Sequence, residues 1–194
     1  MDQQSNFIIG PGALGLTLGL TLAEHYSVSL VSAPNKLAEI QGQEVSLSFP
    51  DGKMIRRILD ALSFVDLPQF PGHATIWICV KAYQLNEVYR EIIPRLNGSQ
   101  TIVLCSNGLG LYQEALPLFR SKAKLLRLLA WFGSRKTGPD SVSLAGTLLV
   151  SLVAEASEPL FKILNQSGFK TETAISAESA PAGKCSPAGK LASR

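Results

Sequence analysis

The stretch of sequence that decides the fold reads Phe7-Ile8-Ile9-Gly10-Pro11-Gly12-Ala13-Leu14-Gly15. Its three apolar residues predict a short buried strand, and its glycines predict a turn. Leucines at helical spacing from Leu14 onward then predict a helix that continues to about Tyr26. In this arrangement free backbone N–H groups and the positive end of a helix dipole face one point, which suits a pyrophosphate. The alternative is a glycine-rich turn that holds no ligand, but the flanking strand and helix favour a bound dinucleotide.

Each glycine of this loop has a predicted role. Gly10 permits the tight turn out of the strand, Gly12 lets the backbone approach the phosphates, and Gly15 lets the helix pack closely on the sheet. The predicted cofactor-binding loop consists of Gly10, Pro11, Gly12, Ala13, Leu14 and Gly15.

The chain after the loop alternates between predicted strands and predicted helices. Continuous apolar runs predict buried strands at residues 28–31, 74–80 and 101–105. Helical patterns follow the last two of these runs, and parallel strands need such crossovers between them. The alternation therefore predicts an α/β fold, a Rossmann-like doubly wound parallel sheet.

The pattern changes in the last third of the chain. Runs that read as strands separated only by turns lie at residues 124–132, 141–144 and 147–153. They predict an antiparallel C-terminal extension of the sheet. A small hairpin is also predicted at residues 45–52, and a helix is predicted from Ser157 to about Gln166.

The composition argues against several functional classes. The chain has 194 residues, 46% of them hydrophobic, and a net charge of +3, without a dense basic cluster that would indicate nucleic-acid binding. No apolar run reaches the ~18–20 residues that span a bilayer, and the N-terminus lacks the basic start of a signal peptide. We therefore expect no membrane association and a cytoplasmic location. Cys79, Cys105 and Cys185 form no CxxC pair, so we expect reduced thiols and no metal site.

The segment after the second predicted strand bears on the choice of nucleotide. NAD sites usually place a carboxylate there, but residues 31–36 read Val-Ser-Ala-Pro-Asn-Lys. Ser32 and Lys36 can receive a 2′-phosphate that a carboxylate would repel, so NADP is favoured over NAD. The alternative is that Lys36 is only a solvated helix residue.

Two further polar residues follow predicted strands. Lys81 follows the run at 74–80, and Asn107 follows the run at 101–105. Ligands of open α/β sheets bind at the carboxyl ends of the strands. A lysine there can pair with a substrate carboxylate, and an asparagine can bond both substrate and cofactor amide. The alternatives are a surface lysine and an ordinary Asn-Gly turn.

Three motifs together resemble the ketopantoate reductase (2-dehydropantoate 2-reductase) family. They are the glycine loop, Val80-Lys81-Ala82-Tyr83-Gln84 and Asn107-Gly108-Leu109-Gly110, in matching order and spacing over about residues 7–173. The resemblance implies NADPH-dependent reduction of 2-dehydropantoate to pantoate in pantothenate biosynthesis. It also implies that the glycines bind cofactor phosphates and that Lys81 and Asn107 line the cleft. The family's basic residue after the second strand is replaced by Ser32 or Ala33, and Lys36 could substitute for it.

The resemblance also implies a lysine as general acid. The family carries it in a Trp-x-Lys helix that opens a C-terminal helical domain, and its counterpart here is Lys184, with Ala182 in place of the tryptophan. Gly183 and Pro187 oppose a helix at this point. The alternative is a solvated lysine in a flexible tail. Lys184 and Asn107 are the predicted catalytic residues.

The predicted domain organisation leaves three functional hypotheses. Residues 1–173 are expected to form the NADP-binding domain, and residues 174–194, rich in Ser, Ala, Pro, Gly and Lys, a disordered tail in place of the helical substrate domain. The chain is then an NADP-dependent oxidoreductase acting on a small 2-oxo acid, or a truncated, non-catalytic cofactor-binding homologue. In the third hypothesis a partner chain supplies the helices, or the protein self-associates through apolar surface near residues 148–153 and 161–164.

Overall fold

The computed structural model describes residues 5–106, 108, 110–153 and 158–173. Its strands are β1 Ser5–Ile9, β2 Ser27–Val31, β3 Glu44–Ser48, β4 Met54–Ile58, β5 Asp60–Leu62, β6 Thr75–Ile78, β7 Thr101–Leu104, β8 Lys124–Ala130, β9 Gly133–Lys136, β10 Ser141–Ala145, β11 Leu149–Val153 and β12 Lys170–Thr173. Its α-helices are α1 Ala13–Leu22, α2 Pro34–Leu37, α3 Leu85–Ile92, α4 Leu111–Phe119 and α5 Glu158–Gln166. Short 3₁₀ helices cover Ala82–Gln84 and Ile93–Arg95.

The larger sheet has eight strands in the order β12-β11-β8-β7-β6-β1-β2-β5. All neighbours from β8 to β5 are parallel, β11 is antiparallel to β8, and β12 is parallel to β11. Ile9 aligns with Val31 and with Ile78, which in turn aligns with Leu104. The segments that follow β1, β2, β6 and β7 therefore leave the sheet along one edge. The predicted Rossmann-like parallel sheet is confirmed.

The smaller sheet corrects the predicted C-terminal extension. It has the order β4-β3-β10-β9, so the hairpin predicted at 45–52 exists as β3–β4, and β10 pairs with β3 rather than with the larger sheet. Strand β8 is parallel to β7, which leaves β11 as the antiparallel neighbour. The predicted antiparallel extension is confirmed for β11, whereas the prediction was wrong for the strand at 141–144, because β10 pairs with β9 and with the distant β3.

Helix α1 lies between the two sheets. Its residues from Gly15 to Leu22 are all buried, and it contacts β1 and β2 of one sheet and β3, β9 and β10 of the other. A helix covered on all sides needs no polar face. The hydroxyls of Thr17 and Thr21 donate to the carbonyls of Ala13 (2.9 Å) and Thr17 (2.7 Å), which satisfies them inside the core. The helix ends at Leu22, four residues before the predicted end.

The opposite face of the larger sheet is covered by α3 and α4. Phe7, Ile76 and Leu104 of the sheet belong to the same apolar cluster as Val88 and Phe119 of the helices. A buried polar contact ties the strands together, since Trp77 Nε1 donates to Asn6 Oδ1 at 3.1 Å. No helix in the described part of the chain is long and apolar enough to span a membrane.

Most of the apolar side chains expected at the surface near residues 148–153 and 161–164 are buried. Leu148, Val150 and Leu152 are buried, as are Ile163 and Leu164 of α5. Strand β11 is enclosed between β8 and β12, and α5 joins the same core as α1, so the expectation of exposed surface was wrong for these segments. Trp131, which is 46% exposed, is an apolar side chain at the surface beside β11.

Tyr89 generates a prediction about stability at high pH. Its side chain is buried, its hydroxyl has no hydrogen-bond partner among the described residues, and its ring meets the edge of Phe119 at 5.2 Å. Burial, and secondarily the charge of Glu114, raises the pKa of Tyr89 to about 12. In the unfolded chain a tyrosine ionises near pH ~10. Tyr89 therefore contributes stability that is present below that pH and lost as the pH rises towards 12.

We expect Tyr89→Phe to be as stable as the parent or up to ~1 kcal/mol more stable at neutral pH, because it removes an unsatisfied buried hydroxyl. It should also lose less stability between pH 10 and 12. Urea unfolding across this pH range measures both effects. Tyr83→Phe, at an 85% exposed position, is the control and should change neither. A Tyr89→Phe protein that loses stability with pH as steeply as the parent contradicts the assignment.

Candidate functional site

The glycine loop turns the chain sharply between β1 and α1. Gly10 has a φ of +90°, and a Cβ there would lie 2.6 Å from Val80 Cγ1. Its N–H donates to the carbonyl of Val31 at 3.0 Å, and the N–H of Gly12 donates to the carbonyl of Gly10 at 2.8 Å. These contacts hold the loop against both β2 and the residues that follow β6.

Gly15 and Gly12 differ in the space around them. A Cβ on Gly15 would stand 2.2 Å from the carbonyl oxygen of Gly10, so the first turn of α1 packs directly on the loop. A Cβ on Gly12 would meet nothing within 4 Å. The space beside Gly12 is thus an open cradle at the start of α1, whose first N–H groups have no acceptor within the helix. This geometry fits an anionic group such as a pyrophosphate.

The segment after β2 borders the same edge. The N–H of Ser32 donates to the carbonyl of Leu62 at 3.2 Å, which holds the segment beside β5. Ser32 is half-buried, and Lys36, on the single-turn helix α2, is exposed. Both predicted contacts for a 2′-phosphate therefore lie at the edge where the glycine loop lies, without a carboxylate between them in sequence.

Lys81 follows β6 and is exposed at the same edge. Gln84 fixes its backbone twice, because the Lys81 N–H donates to Gln84 Oε1 at 3.2 Å and the Gln84 N–H donates to the Lys81 carbonyl at 2.9 Å. The ammonium group is therefore carried from a fixed backbone position. The sequence motif includes Gln84 but did not predict this role for it. Its position three residues after Lys81 was the available signal.

The loop after β7 carries the Asn-Gly motif. Asn107 and Leu109 lie outside the described residues, but their neighbours are placed. The hydroxyl of Ser106 donates to the carbonyl of Val80 at 3.2 Å, and Arg127 Nη2 donates to the carbonyl of Gly108 at 3.1 Å. Neither contact was predicted from the sequence, although an arginine inside the apolar run of β8 indicated a specific role for Arg127.

The predicted catalytic lysine and the three cysteines differ in whether the structure describes them. Lys184 and Cys185 lie outside the described residues, as does the whole segment 174–194. Cys105 is buried and Cys79 half-buried, and both are free thiols. Burial, with a smaller contribution from Cys79, raises the pKa of the Cys105 thiol well above its usual value. Among the described residues no cluster of His, Cys, Asp and Glu could hold a metal ion.

Known proteins share this arrangement. The family model for ketopantoate reductase (PanE/ApbA) matches residues 7–155. The 2-dehydropantoate 2-reductase of Methylococcus capsulatus is 17% identical with a TM-score of 0.73, over 89% of this chain and 57% of that chain. The dimeric ketopantoate reductase of Staphylococcus aureus is 19% identical with a TM-score of 0.67, over 91% and 56% of the two chains.

A ternary structure of D-mandelate dehydrogenase with NADH and anilino(oxo)acetate is 19% identical with a TM-score of 0.74, over 89% of this chain and 57% of that chain. No curated protein sequence matches significantly. The chain thus spans well under two thirds of the length of these solved structures, whose likeness establishes the fold. The family model covers most of the chain, including the glycine loop, the Lys81 motif and the Asn107 motif. On that match, this chain belongs to the ketopantoate reductase family.

Proposed function

We propose that this chain binds NADPH along the carboxyl edge of β1, β2, β6 and β7 and serves the reduction of a 2-oxo acid. The proposed reaction resembles the conversion of 2-dehydropantoate to pantoate in pantothenate biosynthesis, a cytoplasmic process. The open cradle beside Gly12 carries the proposal, because it lies at the start of α1 in a member of the ketopantoate reductase family.

The phosphate end of the cofactor has the best-defined site. Gly10 and Gly15 maintain the shape of the loop, and Gly12 leaves room for the pyrophosphate. Pro11, Ala13 and Leu14 complete the proposed binding loop. The first N–H groups of α1 can donate to the phosphate oxygens, and the helix dipole favours their charge.

The preference for NADPH is proposed from the charge at the same edge. Ser32 and Lys36 can donate hydrogen bonds to a 2′-phosphate. Residues 32–36 contain no carboxylate that would bond the ribose hydroxyls of NADH. The NADH complex of D-mandelate dehydrogenase means that the fold also accepts the other nucleotide. The choice therefore depends on local side chains, which substitution can test.

The proposed chemistry divides between cofactor and chain. When bound, NADPH would supply the hydride for reduction of the substrate ketone. Lys81, with its backbone fixed by Gln84, is placed to attract the substrate carboxylate to the edge. Asn107 is proposed to orient the ketone and the cofactor amide. Lys184 is proposed to stabilise and protonate the developing oxyanion.

The second candidate function is cofactor binding without turnover. The chain covers only 57% of the Methylococcus capsulatus reductase, and a second domain would close the cleft, exclude water and supply the acid. A partner chain or self-association could supply that cover, and the exposed Trp131 beside β11 is a contact surface for it. Saturable NADPH binding with no oxidation of NADPH in the presence of 2-dehydropantoate supports this second function. Family-level turnover by the purified chain excludes it.

The first prediction for this site concerns nucleotide choice. We expect the parent chain to bind NADPH more tightly than NADH. Lys36→Glu should weaken NADPH binding about tenfold (~1.4 kcal/mol) and leave NADH binding within about twofold, because it places a repelling charge near the 2′-phosphate. Titration of cofactor fluorescence measures both affinities. Lys122→Glu, an exposed change after α4, controls for net charge. Equal losses for both nucleotides in Lys36→Glu would remove Lys36 from the site.

The second prediction separates binding from stability. Gly12→Ala should weaken NADPH binding at least tenfold, because its methyl group occupies the phosphate cradle, while its melting temperature stays within about one degree of the parent's. Gly15→Ala should destabilise the protein by roughly 1–3 kcal/mol, because its methyl group collides with the Gly10 carbonyl.

Gly72→Ala is the matched control for these two glycine variants. Its Cβ would make only an ordinary 3.5 Å contact with Ser99 Oγ, so neither affinity nor melting temperature should change. Calorimetric titration and thermal melting of the three variants give the comparison. If Gly12→Ala binds NADPH like the parent, the cradle is not the phosphate site.

A further inference from the structure

Among the residues that the structure describes, Arg127 is the one charged residue that is buried. It is 2% exposed and lies in β8 among apolar neighbours. Burial lowers the pKa of its guanidinium from the usual value, although an arginine stays charged at any physiological pH. Burying a charge is costly, so such a residue is retained where it makes specific contacts.

The strand register places Arg127 at the edge that carries the proposed site. Arg127 aligns with Leu104, the last residue of β7, so its side chain begins at the level where the loop of residues 105–110 leaves the sheet. Its Nη2 donates to the carbonyl of Gly108 at 3.1 Å. The guanidinium therefore holds this loop from the β8 side.

The other side of the loop is held by β6. Ser106, itself buried, donates from its hydroxyl to the carbonyl of Val80 at 3.2 Å. Asn107 is the residue between these two attachment points in the chain. The contact of Gly108 with Leu111 closes the loop towards α4, since a Cβ on Gly108 would lie 2.4 Å from Leu111 Cδ1.

We infer that Arg127 is a positioning residue that holds the loop after β7 at the edge of the proposed site, through the carbonyl of Gly108. The inference rests on the proposed function for the role of Asn107, while the attachment of the loop stands on the contacts above. Lysine is not an equivalent residue here, because its ammonium group is a point charge on a flexible four-carbon stem and lacks the planar guanidinium fork.

Hydrogen–deuterium exchange of the full chain tests the attachment directly. Arg127→Met keeps a similar length without a donor, and Arg127→Lys keeps the charge without the fork. We expect both variants to increase exchange of the amides of residues 105–110 at least tenfold, while β1, β2 and α1 exchange as in the parent. Ser106→Ala should loosen the same segment from the other side. Arg135→Met, at an exposed position on β9, is the control and should change nothing.

Cofactor titration and turnover then test the consequence. Arg127→Lys should keep NADPH affinity within about threefold, because the glycine loop is untouched. It should also lower the rate of 2-oxo acid reduction at least tenfold without a matching rise in KM. If the chain binds NADPH without turnover, we expect added NADPH to protect the amides of residues 105–110 from exchange less in Arg127→Lys than in the parent.

The outcomes separate this inference from the proposed function. A parent chain that binds no NADPH overturns the proposed function, and the exchange of residues 105–110 still decides whether Arg127 holds the loop. Unchanged exchange of that segment in both Arg127 variants overturns the inference. Exchange that rises equally throughout the sheet also overturns it, because Arg127 would then serve the core in general.

Discussion

The packing of α1 on the glycine loop is the constraint on which the rest of this structure depends. The helix can sit between the two sheets only because Gly15 has no side chain to strike the carbonyl of Gly10, and because Gly10 accepts a φ of +90°. This close approach brings the start of α1 to the carboxyl end of β1. It also leaves Gly12 facing open space, so the same contact that completes the core creates the cradle for a phosphate.

The parallel arrangement of the central strands brings further candidate residues to the edge where this cradle lies. Because the carboxyl ends of β1, β2, β6 and β7 lie side by side, segments far apart in the chain meet at one edge. Hydrogen bonds between side chains and the backbone then connect the segments at this edge: Gln84 bonds the backbone of Lys81, Ser106 joins the end of β7 to the segment after β6, and Arg127 reaches the loop from β8. The side chains that would act on a substrate are thus carried by positions that the sheet itself determines.

Much of the candidate site could be predicted because its signals are local. The glycine loop and Lys81 directly follow apolar runs, Asn107 follows another such run after one intervening residue, and strand ends are where α/β sheets bind ligands. Gln84, Ser106 and Arg127 were missed because their partners are backbone groups, which residue types alone do not identify. The expected exposure of residues 148–153 was wrong for a related reason: the polar strand β12, which covers β11, gives no apolar signal.

By itself, the sequence determined that apolar runs form a parallel sheet and that a glycine turn joins β1 to a helix. These features follow from residue type and short-range spacing, which act within one or two turns of the chain. Only the tertiary structure decided that β10 pairs with β3 to form a second sheet over α1, and that Arg127 reaches the loop after β7. Such pairings depend on which surfaces remain to be covered once the first layers have formed. Residues distant in the chain share no local pattern from which these pairings could be predicted.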